Sequence, residues 1–312
     1  MPALVITYSR FQGLKNVIDS CIRAGVTRIY VCIDGPRDSR AAEIQGQMRS
    51  FLSSIPTNAG TKIMVWQREE NLGIAISVIT AIDWFFRHEE SGVILEDDLE
   101  ISDSFIKFSE KALSFFWTSQ KIVMISGNRY DRNLEIAPVL VSYPQTWGWG
   151  TWRHKWIRIR ESIILHPSNN LKLIEGDTKR FWQVGSTRVW DGYIDTWDLL
   201  VAYAMLRNET YCLLPPENLV TNVGNDSYST HTNDSSFPIR FPAKVIDVTK
   251  IEFNEFIESP SLTVNKFLEQ NVFKIRRRHR YVKYYKWVGD LKIKRKYPKN
   301  SFIQRLNQVS LP

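Results

Sequence analysis

The stretch GVILEDDLEIS, residues 92–102, decides the fold that the sequence predicts. Residues 93–95 form an apolar run of the kind found in a strand that is buried on both faces of a sheet. The run ends in three consecutive carboxylates, Glu96, Asp97 and Asp98. Adjacent acidic side chains repel one another unless water solvates them or a cation neutralises them. The stretch therefore predicts either a ligand-binding edge at the end of a core strand or a solvated turn before a helix near Ser102.

Around this stretch, short apolar segments alternate with helical patterns. The predicted strands cover residues 3–9, 28–34, 62–67 and 93–95, and the predicted helices lie near residues 15–24, 40–53 and 74–86. This order predicts an α/β fold with a mostly parallel sheet flanked by helices, in which ligands bind at the carboxyl ends of the strands. Asp34 and the three carboxylates fall at such ends. Neither a GxGxxG nor a GxxxxGK[ST] pattern accompanies them, so the common dinucleotide and P-loop sites are not predicted.

The composition is that of an ordinary globular protein. With 312 residues, of which 43% are hydrophobic, the chain can bury one large core or two joined cores. The amino-terminal residues MPALVITYSR lack the pattern of a signal peptide, and no long uncharged apolar window follows. Three cysteines without metal-ligand spacing predict neither structural zinc nor a disulfide framework. We therefore expect a cytoplasmic protein.

The positive charge is concentrated near the carboxyl terminus. Residues 273–305 hold 13 of the 41 Lys and Arg residues and only one of the 33 acidic residues, so the rest of the chain is mildly acidic. Within this basic segment, apolar and aromatic residues recur at helical spacing: Tyr281, Tyr284, Tyr285, Val288 and Leu291. This pattern predicts a helical tail that docks peripherally on an anionic membrane surface at the inner face of the membrane. A basic helix packed on the acidic body or on another subunit is the alternative.

The sequence predicts a functional boundary near residue 102 within one continuous core. Residues 1–101 are expected to form one half of this domain, and residues 102–250 the other half. Residues 251–312 are a carboxyl-terminal extension that becomes basic from residue 273.

Several motifs occur in the order typical of one enzyme family. They are VITYSR, VCIDGP, NLG, ILEDDLEIS, WGWGTWRHKW, TWDLLVAYAM and PPENLVTNVGND followed by THT, and together they span most of residues 3–232. This ordered set resembles the GT-A glycosyltransferases, in particular the N-acetylglucosaminyltransferase I family and bacterial nucleotide-diphosphosugar transferases of polysaccharide gene clusters. The resemblance implies the GT-A (Rossmann-like) fold, with residues 1–101 as the nucleotide-sugar-binding half and residues 102–250 as the acceptor-binding half of the same domain. The sequence departs from the bacterial group after NLG, where IAISVITAI replaces basic residues.

The resemblance implies roles for residues on the donor side. Arg10 would approach the nucleotide, and Asp34 would accept a hydrogen bond from the base; a surface charge and a turn residue before Gly35 are the alternatives for these two. Glu96 would face the donor sugar, Asp97 the ribose, and Asp98 would bind the metal directly. The expected cofactor is a divalent cation, Mn²⁺ or Mg²⁺, which binds oxygen ligands and offsets the charge of the diphosphate.

Two further donor contacts follow from the same resemblance. Trp149, within WGWGTW, offers a flat apolar ring to a sugar face, although core packing explains such rings equally well. His231, within STHT, would reach the diphosphate from a carboxyl-side loop, although a histidine in a loop is often only a surface residue.

The resemblance also implies that the catalytic base is an aspartate that directly follows a tryptophan. Asp191 and Asp198 both follow a tryptophan, and Asp195 lies between them. We favour Asp198, because the sequence after it continues the family pattern without a gap. An acid that caps a helix near Thr196 is the alternative.

The sequence thus predicts a metal-dependent, inverting glycosyltransferase. It would move a sugar from a nucleoside-diphosphate donor, for which a UDP-sugar is the first choice, to a glycan or lipid-linked acceptor. One alternative is a sugar nucleotidyltransferase, but such enzymes begin with a glycine-rich phosphate loop, and residues 7–15 hold one glycine. The other is a nucleic-acid-binding protein that uses the basic tail. The mildly acidic body argues against nucleic acid as a partner and therefore against this alternative.

Overall fold

The computed structural model describes residues 1–56, 60–131, 137–167, 171–224, 241–253, 259–275 and 301–312. His231 and residues 276–300 of the basic tail lie outside the described residues. The donor contact of His231 and the docking of the tail on an anionic membrane therefore stay predictions. In the described part of the chain, no helix has the length and hydropathy needed to cross a membrane.

Ten strands form the described sheets. They are β1 (Pro2–Thr7), β2 (Arg28–Ile33), β3 (Lys62–Gln67), β4 (Ser91–Glu96), β5 (Leu99–Ile101), β6 (Ile122–Ser126), β7 (Val139–Val141), β8 (Trp149–Trp152), β9 (Tyr211–Leu214) and β10 (Val220–Asn222). Eight of them make one sheet in the order β3-β2-β1-β4-β8-β6-β9-β7, and β5 pairs with β10 in a small antiparallel sheet.

The large sheet is mostly parallel. Strands β1 to β4 pair in parallel with one another, β9 pairs in parallel with β6, and β8 and β7 run in the opposite direction. The predicted α/β class, with a Rossmann-like sheet flanked by helices, is confirmed. The antiparallel β8 carries the second half of the tryptophan-rich motif between β4 and β6.

Nine α-helices accompany the strands in the described residues. They are α1 (Phe11–Arg23), α2 (Ser39–Ser54), α3 (Ile74–His88), α4 (Asp103–Phe115), α5 (Arg153–Ile163), α6 (Gly176–Trp190), α7 (Asp198–Arg207), α8 (Leu262–Phe267) and α9 (Ser301–Gln308). Both faces of the sheet are covered, as the alternation along β1 shows: Leu4 and Ile6 contact the core that includes α3, α6 and α7, whereas Ala3 and Val5 contact the core that includes α1 and α4.

Helix positions follow from their apolar spacing. In α1, Leu14, Val17, Ile18 and Cys21 are buried at positions three or four residues apart, and polar residues occupy the opposite face. Helix α3 is buried along most of its length, because its residues pack on the sheet and under α9. The last helix, α9, returns to the body: Phe302 packs on Trp190, and the Arg305 guanidinium donates to the carbonyl of Leu72.

Candidate active site

The carboxyl ends of four parallel strands meet at one edge of the sheet. Thr7 of β1 aligns with Ile33 of β2, Ile33 aligns with Gln67 of β3, and Ile6 aligns with Glu96 of β4. The residues that follow these strands are therefore neighbours, and we call this region the carboxyl edge. It holds Arg10, Asp34, Arg68 and the carboxylates Glu96, Asp97 and Asp98.

Asp97 is the most firmly held of the three consecutive carboxylates. Its Oδ2 accepts hydrogen bonds from the hydroxyl of Thr7 at 2.6 Å and from the backbone N–H of Tyr8 at 3.2 Å. Burial, together with the charge of Asp98, raises the pKa of Asp97 to about 6. Helix α1 approaches this loop closely, because a Cβ on Gly13 would lie 1.9 Å from the carbonyl oxygen of Asp97.

Arg10 lies between the carboxylates and the end of β10. Its Nη1 is 3.1 Å from Asp98 Oδ2 and 3.8 Å from Asp97 Oδ1, and its Nη2 donates to the carbonyl of Gly224 at 3.2 Å. A Cβ on Gly224 would lie 2.4 Å from Asp98 Oδ2, so a larger residue at this position would displace the Asp98 side chain. The guanidinium is thus the nearest positive charge to Asp98 in the described structure, and it offsets part of the negative charge of the cluster.

Glu96 and Asp198 interact electrostatically although 102 positions separate them in the chain. Burial raises the pKa of Glu96 well above its ordinary value, and the charges of Asp98, Asp97 and Asp198 raise it further. Asp198 is the first residue of α7 and is exposed. Its Oδ1 accepts from its neighbours, the backbone N–H of Leu199 at 2.9 Å and the hydroxyl of Thr196. An accessible carboxylate therefore lies within electrostatic reach of the cluster.

The other candidate bases have different surroundings. Asp195 is buried, and its Oδ1 accepts from the backbone N–H of Ala75 at 3.0 Å, which caps the start of α3. Asp191 ends α6, and its backbone N–H bonds to the carbonyl of Thr187. The charge of Asp198 acts on the Glu96 carboxylate, and the choice of Asp198 as the base over Asp191 and Asp195 stays a prediction.

Trp149 lies in the core. Its side chain is 1% exposed, it stacks on Trp197 with a ring separation of 5.9 Å, and it contacts Trp156. Because the neighbouring rings cover it, Trp149 has no free face for a sugar in this conformation, and the core-packing alternative describes its place. Trp147, two residues earlier, is only half-buried and packs edge-on against Tyr130.

Asp34 follows β2 and is nearly closed off from solvent. It accepts hydrogen bonds from the side-chain amide of Asn71 at 3.0 Å and from the backbone N–H of Leu72 at 3.1 Å. Its pKa is raised by burial, which outweighs the opposing hydrogen bonds and the charge of Arg68. Asn71 and Leu72 of the NLG motif thus hold the Asp34 carboxylate in place.

Arg68 is a residue of the carboxyl edge that sequence reasoning missed. It is 5% exposed and its Nη1 lies 3.9 Å from Asp34 Oδ1. The signal was available, because a cation directly after a predicted strand, parallel to the strand that ends in Asp34, falls beside that aspartate.

The residues of the carboxyl edge could bind a divalent cation only if phosphate or water oxygens complete its coordination. Among the described residues, no group of three or more His, Cys, Asp and Glu side chains is arranged as a metal site. Carboxylate oxygens are nevertheless suitable ligands for Mn²⁺ or Mg²⁺, and such ions often use one or two carboxylates while phosphates and waters supply the other ligands. The accumulated negative charge, visible in the raised pKa values of Glu96 and Asp97, is compatible with such an ion.

Comparison with known proteins finds similar solved structures but no matching family model and no matching curated protein. One similar solved structure is named as a glucose-1-phosphate thymidylyltransferase from Bacillus anthracis in complex with sucrose; it has a TM-score of 0.38 and 11% identity over 71% of this chain and 89% of that chain. Another is UDP-glucose pyrophosphorylase complexed with UDP-glucose, with a TM-score of 0.37 and 10% identity over 71% and 93%.

Both solved structures belong by name to the sugar nucleotidyltransferases, which is the alternative class named above. At TM-scores below 0.4, the likeness does not decide between that class and the glycosyltransferases. The assignment of the α/β class therefore depends on the strand order and helix positions of this chain itself.

Proposed function

We propose that the chain is a glycosyltransferase that moves a sugar from a nucleoside-diphosphate donor to a hydroxyl of a glycan or lipid-linked oligosaccharide, with inversion at the anomeric carbon. The observation that carries the proposal is the pairing of two unlike acidic sites. A partly buried carboxylate cluster ends β4, and the charge of the exposed carboxylate of Asp198 acts on Glu96 of that cluster. A donor bound at the first site would present its anomeric carbon to an acceptor at the second.

On the donor side, the chain would act by binding and orientation. Asp34 would accept a hydrogen bond from the base, Asp97 from the ribose and Glu96 from the sugar. Arg10 already lies 3.1 Å from Asp98, so a small movement would bring its guanidinium to the diphosphate. Asp98 would hold the divalent cation, and when bound that cation stabilises the negative charge of the leaving diphosphate.

On the acceptor side, Asp198 would be the general base. The acceptor hydroxyl oxygen forms a bond to the anomeric carbon from the face opposite the diphosphate. The bond between that carbon and the diphosphate oxygen breaks, the electron pair leaves with the nucleoside diphosphate, and the hydroxyl proton moves to the Asp198 carboxylate. The exposure of Asp198 suits this role, because the acceptor must reach it from solvent.

A sugar nucleotidyltransferase is the second candidate, because the two solved structures described above carry names of that class. Such an enzyme must hold the triphosphate of its substrate. The connection between β1 and α1 is only the three residues Tyr8, Ser9 and Arg10, and it contains no glycine. A connection this short leaves little room for a glycine-rich phosphate loop, which favours the glycosyltransferase.

A product assay separates the two candidates. The protein is incubated with Mn²⁺ and a panel of nucleotide sugars, with and without oligosaccharide and polyprenyl-linked acceptors, and nucleoside diphosphate release is measured. A parallel assay supplies nucleoside triphosphates with sugar 1-phosphates and measures pyrophosphate. We expect nucleoside diphosphate release that increases with an acceptor. Pyrophosphate formation without diphosphate release would replace the proposal by the second candidate.

A further inference from the structure

The guanidinium of Arg68 is buried at the carboxyl edge with few partners. Its Nη2 donates to the carbonyl of Ser77 at 3.1 Å and to the hydroxyl of Thr80 at 2.6 Å, both in the first half of α3. Its Cζ lies 4.2 Å from the centre of the Trp66 ring. Within the described residues, its Nε and Nη1 have no hydrogen-bond partner, and neither does the hydroxyl of Ser77.

Such an arrangement is costly for the protein alone. A buried charged group is usually paired and hydrogen-bonded, and each buried donor without a partner lowers stability. The Trp66 ring offsets part of the cost, and the thiol of Cys32 beside the guanidinium is only a weak acceptor. The amino end of α3, which carries partial positive charge, adds no compensation. A role in ligand binding would explain why the cost is tolerated.

Asp34 is the acidic partner of Arg68. The separation of 3.9 Å between Nη1 and Oδ1 is an ion pair rather than a hydrogen bond. Burial alone favours the neutral carboxyl form of Asp34, and the charge of Arg68 favours the carboxylate. A carboxylate can accept about four hydrogen bonds; Asn71 and Leu72 supply two, and the backbone N–H groups of Gly35 and Gly73 also favour the ionised form of Asp34. A base N–H would join or replace one of these donors.

We propose that Arg68 is a positioning residue that keeps Asp34 ionised and oriented, so that the site selects a nucleobase with an imino N–H next to a carbonyl. This inference rests on the proposed function and extends it. Uracil, thymine and guanine have such an N–H. In cytosine and adenine the corresponding ring nitrogen carries a lone pair, which a carboxylate repels even where the adjacent amino group donates.

The test measures the binding of UDP, GDP, CDP and ADP by calorimetry in the presence of Mn²⁺, without turnover. For the wild type, we expect UDP or GDP to bind about tenfold or more tightly than CDP and ADP. Arg68→Met should reduce this preference to about threefold or less, whereas Arg68→Lys, which keeps the charge, should retain most of it. With saturating donor, the kcat of Arg68→Met should change much less than its KM, since Arg68 does not contact the reacting atoms.

Arg28→Met is the matched control. Arg28 also pairs with a carboxylate at the end of a sheet strand, but at the opposite edge, so its loss should leave base preference unchanged. Asp34→Asn gives a second variant in case Arg68→Met does not fold. Because an amide can donate to a ring nitrogen, this substitution should shift preference from UDP towards CDP.

The outcomes separate this inference from the proposed function. If nucleoside diphosphates do not bind the wild type at all, the proposed function fails. If they bind but Arg68→Met keeps the wild-type base preference, or Asp34→Asn leaves the ratio of UDP to CDP affinity unchanged, Arg68 has only a structural role and the inference is overturned. Loss of base preference in Arg28→Met to the same extent would also overturn it.

Discussion

At the two edges of the parallel sheet, an arginine and a carboxylate are paired in different ways. At the amino ends of the strands, Arg28 Nε and Nη2 donate to the two oxygens of Glu89 at 2.5 and 2.7 Å, and the hydroxyl of Tyr30 donates to Glu89 at 2.8 Å. At the carboxyl ends, Arg68 and Asp34 are 3.9 Å apart, and two N–H groups of Arg68 have no hydrogen-bond partner in the described structure.

The difference indicates what each edge is for. The amino edge is satisfied by the protein itself, so its charged groups contribute to stability. The carboxyl edge gathers Glu96, Asp97 and Asp98 near Arg10, and the pKa values of two of these carboxylates are raised. Charges that a protein leaves poorly compensated are typical of binding sites, where the ligand completes the arrangement. Changes at the carboxyl edge should therefore affect function, and changes at the amino edge should affect stability.

The largest expected effect is on turnover. Asp198→Asn should lower kcat about 10²- to 10⁴-fold and leave donor affinity nearly unchanged, because the carboxylate acts on the acceptor hydroxyl. Steady-state kinetics and nucleotide binding by calorimetry measure the two quantities.

Asp191→Asn and Asp195→Asn are the controls for this prediction. Asp195→Asn keeps an oxygen that can accept from the N–H of Ala75, so it should fold and turn over. If either control is inactive while Asp198→Asn is active, the base has been assigned to the wrong residue.

The amino edge should give an effect on stability alone. Glu89→Gln should lower the free energy of unfolding by about 1–2 kcal/mol, since it replaces a charge-assisted bidentate pair by weaker hydrogen bonds. The lower part of the range is expected because the Arg28 side chain is 47% exposed and solvent screens it. Urea unfolding measures the change. A variant with wild-type stability but impaired nucleotide binding would contradict the division between the two edges.

A pH-dependent effect on stability is expected from Lys155. Its Nζ is buried and donates to the carbonyls of Phe116 and Ile122 at 2.6 and 2.8 Å, and burial, assisted by the charge of Arg158, lowers its pKa to about 7. Above about pH 7 the unfolded chain still binds this proton while the folded protein has released it, so the contribution of Lys155 to stability rises with pH until its ordinary pKa is reached.

Lys155→Met removes this dependence. The difference in the free energy of unfolding between wild type and variant should therefore move in favour of the wild type between about pH 7 and about pH 9. A difference that stays constant over this range would show that Lys155 remains charged in the fold.

Much of the fold could be predicted because its pattern is local. Buried strands such as β1 and β4 are short apolar runs, and β3 occupies the predicted residues 62–67. Helix α6 was missed because residues 176–190 are mostly polar. Its buried face consists of Trp182, Ser186, Val189 and Trp190, which recur at helical spacing within a sequence that reads as an insertion.

The site was predictable only in part, because side-chain surroundings are not local. The position of Asp34, Glu96, Asp97 and Asp98 after strands indicated one edge of the sheet. Whether a tryptophan faces a ligand or the core depends on rings that are distant in the sequence. Trp149, for example, stacks on Trp197. The proximity of Asp198 to Glu96 likewise depends on how α7 packs, which no spacing in the sequence reveals.

The most direct test of the account is calorimetric titration of UDP and Mn²⁺ into three proteins: wild type, Asp98→Asn and Glu89→Gln. If the carboxyl edge is completed by a cation and a nucleoside diphosphate, wild type and Glu89→Gln should bind with similar affinity, and Asp98→Asn, although folded, should lose about tenfold or more. Equal affinity of wild type and Asp98→Asn, or the absence of binding to the wild type, would contradict the claim that this edge is the donor site.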